Sequence, residues 1–177
     1  MCLELNVEEG VMKGDDSISA EPEAMHQEAE RRVQKFRYAK PESLGDANKG
    51  LVRLCGTDIM KGVVQVIADG GENNLHYHEG IDSFWMVLKG RAKFYGPGDR
   101  LIGECGPMEG LVTPRGARYW FEKSSADEDL ELLQVAAYAT DMRTARRISV
   151  DGDKPKSNRN QWFDGQNENR PMDKART

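Results

Sequence analysis

The chain has 177 residues, 38% of them hydrophobic and 31% charged, with a formal net charge of -5. That length holds one domain with extensions and is enough to bury a real core. The acidic balance offers no basic field for nucleic acid or an acidic membrane surface, and no apolar run is long enough for a membrane span.

Residues 1–20 are mixed, acidic and without period, which predicts a loose N-terminal arm. Their start, MCLELNVEEGVMKGDD, has acids where a signal peptide needs a basic start and an apolar stretch, so a cytoplasmic location is expected. From Glu21 to Phe36, Met25, Ala29, Val33 and Phe36 fall at helical spacing, Ser19 can cap, and Arg31, Arg32 and Lys35 follow the acids. This predicts an amphipathic helix, with His26 in its first turns as a solvated residue. Helix and turn-rich connector together occupy 21–49.

Short strands punctuated by Gly and Pro follow over 50–139. They are expected at 51–55, 62–69, 74–78, 82–96, 100–105, 110–114, 118–122 and 130–139. Even spacing of this kind predicts an all-β sandwich or barrel. Cys2, Cys55 and Cys105 contain no CxxC and read as free, non-nucleophilic thiols. Beyond Thr140 the apolar content collapses, so 140–177 is expected to be a polar, irregular C-terminal tail. Trp162 and Phe163 could dock it on the barrel or on a second subunit, and RRIS at 146–149 has the form of a kinase site, a common accident in tails.

The stretch LHYHEGIDSFWMVLKG places His76 and His78 one residue apart, on one face of a strand. With its flanking glycines it reads GENNLHYHEGIDSFWMVLKG, from Gly71 to Gly90, and ECGPMEGLVTPRGARYWFEK follows with a PxG turn. In this order the two stretches resemble the two motifs of the cupin superfamily, over roughly residues 50–138. The resemblance implies a double-stranded β-helix, or jelly-roll barrel, with a metal or ligand held at the histidines. The family's motif glutamate falls on Ser83, with Asp82 one residue out of phase; its second-motif histidine falls on Tyr119 and its asparagine on Lys123.

His76 and His78 are thus candidate ligands of a divalent transition metal such as Fe, Mn, Ni or Zn, with Asp82 or Tyr119 to complete the set and serve in catalysis. Strand alternation places Ser83, Trp85 and Val87 inward, and Tyr119 and Phe121 enter from the second motif. Gln65 and Gln134 interrupt apolar strands and join the expected pocket of Ser83, Trp85 and Phe121. Arg118 could pair with a ligand carboxylate or with a surface acid.

Three functions follow, one of them a scaffold or assembly protein whose contacts are made by the helix at 21–36 and the tail; the other two use the barrel interior. One is a metal-dependent oxygenase, isomerase or lyase acting on a small aromatic or carbonyl-bearing metabolite; the other is a non-catalytic small-molecule-binding barrel that has lost the standard metal site. A homodimer is expected, and a segment such as 33–40 could add a strand to a neighbour.

Overall fold

The computed structural model describes residues 23–139, 145–150 and 159–172, and the chain divides into two units, Met1–Val33 and Gln34–Thr177. The arm expected at 1–20, with Cys2 and the Ser19 cap, lies outside the described residues. In the first unit α1 (Glu23–Arg31) is closed by Gln27 Nε2 donating to Glu23 Oε1 at 3.0 Å and by an Arg31–Glu28 pair at 3.5 Å. It is shorter than the expected 21–36, and none of its side chains, His26 included, is buried. The second unit begins at Gln34. There the Gln34 amide pairs with the backbone of Gly56, donating to its carbonyl at 2.7 Å and accepting from its N–H at 3.0 Å, and residues 34–41 are neither helix nor strand.

The second unit is built from β1 (Lys49–Gly56), β2 (Met60–Ile67), β3 (His76–His78), β4 (Ile81–Lys89), β5 (Ala92–Tyr95) and β6 (Leu101–Cys105), followed by β7 (Gly110–Thr113), β8 (Trp120–Lys123), β9 (Leu130–Tyr138), β10 (Arg147–Ser149), β11 (Asn160–Asp164) and β12 (Arg170–Met172). One sheet runs β12-β11-β1-β2-β9-β4-β7; β6-β5-β8 and β10-β3 form the other side, joined by a bridge between His76 and Tyr119. All pairs are antiparallel except β1 with β11.

The stretch expected as one strand at 82–96 is two. Gly90 sits at φ 77, and a Cβ added there would meet Ser125 Oγ at 2.9 Å and the Asp129 carbonyl oxygen at 3.0 Å. Only glycine takes that left-handed, crowded position without strain, and it passes the chain from β4 in one sheet to β5 in the other.

Between the sheets Trp85, Phe94 and Phe121 pack with centroids 5.1, 5.4 and 6.2 Å apart, beside Val87, Leu130 and Leu132. The expected alternation holds: Ser83, Trp85 and Val87 are buried while Phe84 is exposed. A second cluster, Val52, Leu54, Val64 and Phe163, lies on the other face of the large sheet. Burial on both faces is why β1 and β2 read as apolar runs instead of alternating. Tyr38 and Leu44 pack on this outer cluster, and Tyr38 Oη donates to Glu131 Oε2 at 2.7 Å. Tyr38 and Leu44 thus pack on the sheet of their own chain.

The tail contributes structure that its composition concealed. β11 pairs with β1, β12 with β11, and Phe163, 4% exposed, completes the outer cluster. Docking on the barrel is thus the outcome for Phe163. Ser149 of the RRIS stretch belongs to β10 and stands opposite His76.

Candidate functional site

β3 is three residues long, and its alternation sends His76 and His78 to one face. His76 Nδ1 lies 2.7 Å from the Asn74 carbonyl oxygen. A carbonyl only accepts, so the proton sits on Nδ1 and the Nε2 lone pair is left available. The His76 ring packs 4.6 Å from Tyr119 and meets His78 edge-on at 5.2 Å. His78 Nδ1 is buried with no hydrogen-bond partner.

β10 runs beside β3 with Arg147 opposite His78 and Ser149 opposite His76. Cross-strand partners share a face, so β10 adds a guanidinium to the histidine side, where Arg147 Nη1 donates to Ser149 Oγ at 3.0 Å. Lys49, at the start of β1, is 3% exposed; its ammonium donates to Asn73 Oδ1 and stands 5.3 Å from the centre of the Phe121 ring. A polar ladder crosses the sheet floor: Gln65 Nε2 donates to Gln134 Oε1 at 3.0 Å, and Gln134 Nε2 to Ser83 Oγ at 3.1 Å.

These groups surround a cavity of about 340 Å³. Its polar lining includes Gln65, Gln134, His76, His78, Asn73 and Asn160; its cations are Lys49, Lys61 and Arg147. Trp85, Tyr119, Tyr138 and Trp162 supply aromatic surface, and Lys61 Nζ sits 4.6 Å above the Trp162 ring. Among the described residues no Asp or Glu lines the cavity.

Burial, with Arg147 adding to it, brings the His76 pKa down to about 3 against the opposing Asn74 hydrogen bond. His78 falls to about 4, again by burial and then Arg147, with the Arg146 backbone opposing. Burial and then Arg147 lower Lys49 to about 7, while Glu72 acts the other way. Tyr119 is pushed up to about 12 by burial, in spite of its hydrogen bond with Thr113 and the field of Arg147. At neutral pH the imidazoles are therefore uncharged, the phenol keeps its proton, and Lys49 is poised between its two forms.

No protein-family model and no curated protein matches the sequence. The fold does find solved counterparts. A conserved protein with a double-stranded β-helix domain from Klebsiella pneumoniae superposes with a TM-score of 0.51 at 20% identity, over 69% of this chain and 94% of that one. An RmlC-like cupin protein from Desulfovibrio desulfuricans gives 0.49 at 19% identity, over 59% and 96%. Tomato vicilin gives 0.43 at 18%, over 51% of this chain and only 25% of the vicilin chain. The barrel is a double-stranded β-helix, the cupin fold.

The motif resemblance would place a metal at His76 and His78 together with the positions of Ser83 and Tyr119. Ser83 is 1% exposed, with its hydroxyl engaged by Gln134, and the Tyr119 phenol is far from ionising. Asp82, expected to complete the set, does not line the cavity. Its carboxylate is taken by Arg115, through the backbone N–H at 2.7 Å, Nε at 3.2 Å and Nη2 at 2.8 Å. The cause is the one-residue phase shift: with Ser83 inward, its neighbour faces out. Among the described residues no group of three His, Cys, Asp or Glu converges anywhere. Two donors and a neighbouring guanidinium, with no carboxylate in the lining among the described residues, do not fit a resident divalent metal, which takes three protein ligands in catalytic zinc sites.

Of the expected pocket residues, Gln65, Trp85 and Gln134 line the cavity with His76, His78 and Tyr119. Ser83 lies behind Gln134, and Phe121, 0% exposed, is core beneath the site and not its wall. Arg118 is exposed and outside the lining; the cupin cavity draws its guanidinium from Arg147 instead. Lys49, Asn73 and Arg147 were missed by sequence reasoning. A lysine just before an apolar run reads as a solvated strand end, and only the pairing of β1 with β2 and β11 buries it. Cys105 is buried, which raises its thiol pKa, and it plays no part in the site.

Proposed function

We propose that the barrel interior binds a small organic molecule directly on His76 and His78, with no resident divalent metal. One observation carries this reading: two neutral imidazoles share a cavity with Lys49 and Arg147, and no carboxylate lines it among the described residues. A cation gains little there, whereas a ligand with acceptor groups gains charge-assisted hydrogen bonds. The cavity is of small-metabolite size, and Trp85, Tyr138 and Trp162 offer surface to a planar body. Tyr119, held as a phenol, is a hydrogen-bond donor and the proton donor should the ligand be turned over.

A metal-dependent cupin enzyme of oxygenase, isomerase or lyase type is the second reading. It is favoured by the tautomer of His76, whose Nδ1 hydrogen bond leaves Nε2 for an electrophile. Thermal shift of EDTA-treated protein against a metabolite library separates the two. Ligands that stabilise wild type in EDTA, and fail with His76→Ala/His78→Ala, support direct binding; stabilisation that returns only with added Fe, Mn, Ni or Zn supports the second reading.

For assembly we propose a homodimer, supported by the exposed cross-strand pair Phe84 and Val112, 46% and 61% accessible. No helix among the described residues is long and apolar enough to cross a membrane, and a cytoplasmic location belongs to this proposal.

A further inference from the structure

We infer that the cavity selects anions, and that a ligand carboxylate docks in the combined field of Lys49 and Arg147 with its body against the aromatic wall. This rests on the reading of the barrel interior as a small-molecule site.

Three cationic side chains line one cavity of about 340 Å³, and among the described residues no acid lines it with them. Their positions are built into the fold. Lys49 is the first residue of β1 and 3% exposed, so its ammonium is largely removed from water. It donates to the neutral Asn73 Oδ1 and faces the Phe121 ring, neither of which neutralises a charge. Among the described residues Glu72 is the acid that acts on this ammonium, and it does so from outside the cavity lining; a ligand carboxylate would add a counter-charge from within. Arg147 reaches the same cavity from β10, through its register opposite His78, and a guanidinium can take a carboxylate on two donors at once. The polar neighbours agree: Asn73 and the Tyr119 phenol add donors to an anion's oxygens, and among the described residues no carboxylate of the lining repels it.

The test uses matched probes, benzoate with benzamide, phenylacetate with phenylacetamide, and malonate with malonamide, titrated in EDTA-containing buffer. Binding is read from tryptophan fluorescence, since Trp85 and Trp162 line the cavity, and from calorimetry. The carboxylate of a pair is expected to bind about tenfold or more tightly than its amide, the scale of a hydrogen bond to a charged group. Arg147→Gln, a change at an exposed residue, should erase most of that ratio, and Lys49→Met should act in the same direction. Amides binding as tightly as carboxylates, or a ratio that survives both substitutions, would overturn the inference. Failure of every carboxylate and every amide would instead sink the small-molecule reading, and this inference with it. Binding that appears only after metal is restored would overturn direct docking on Lys49 and Arg147.

Discussion

Lys49 places function and stability in opposition. Its folded-state pKa of about 7 lies below the ordinary lysine value, so holding its charge in the cavity costs free energy at neutral pH. Lys49→Met keeps the volume and removes that charge. Guanidine denaturation at pH 7 is expected to show stability unchanged or raised by roughly 1 kcal/mol, since removing an ill-compensated buried charge is often neutral or stabilising. A loss above about 2 kcal/mol would make Lys49 a structural residue. The histidines follow the same sign as a salt-bridged carboxylate, in a higher pH window. Their folded pKa values, about 3 and about 4, lie below the ordinary value, so the unfolded chain binds protons that the barrel refuses. Their contribution is whole above about 6.5 and is withdrawn as pH falls toward those folded values, at about 1.4 kcal/mol for each tenfold difference in proton affinity between the unfolded and folded chain. Urea midpoints should therefore drop between pH 7 and pH 4.5 in wild type and drop less in His76→Asn/His78→Asn. Equal slopes in the two proteins would contradict the burial assigned to the imidazoles.

At the scale of elements, the cavity depends on strands that composition hides. The HxH, the glycine-closed VLKG and the alternation of β4 were legible because each is a local pattern whose meaning does not depend on a distant partner. β10 and β11 were not, because RIS and NQWFD are strands only by virtue of the strands beside them, β3 and β1. Asp82 failed for a related reason: one residue of phase separates the inside of a barrel from the outside, and the Arg115 that claims it comes from another loop. Phe163→Ala tests whether β11 belongs to the fold. Removing a buried phenylalanine from the cluster of Val52, Leu54 and Val64 should cost about 3 kcal/mol in denaturant unfolding, with a single transition. A change below about 0.5 kcal/mol, the size of a surface substitution, would mean that β11 contributes little.

The second unit is a barrel of the double-stranded β-helix fold whose interior sets His76 and His78 beside Lys49, Lys61 and Arg147. Its outer face bears on assembly: Phe84→Glu and Val112→Glu should shift the sedimentation mass from dimer to single chain, and a wild type that already sediments as one chain would remove the homodimer proposal. Its inner face bears on chemistry, and there the central claim is that His76 and His78 meet the ligand without a resident metal. The most direct measurement is metal content per chain, by plasma mass spectrometry, of untagged wild type beside His76→Ala/His78→Ala. The account predicts Fe, Mn, Ni, Cu and Zn well below one per chain in both proteins, and no rise on reconstitution. Near-stoichiometric metal in wild type that disappears from the double variant would contradict it.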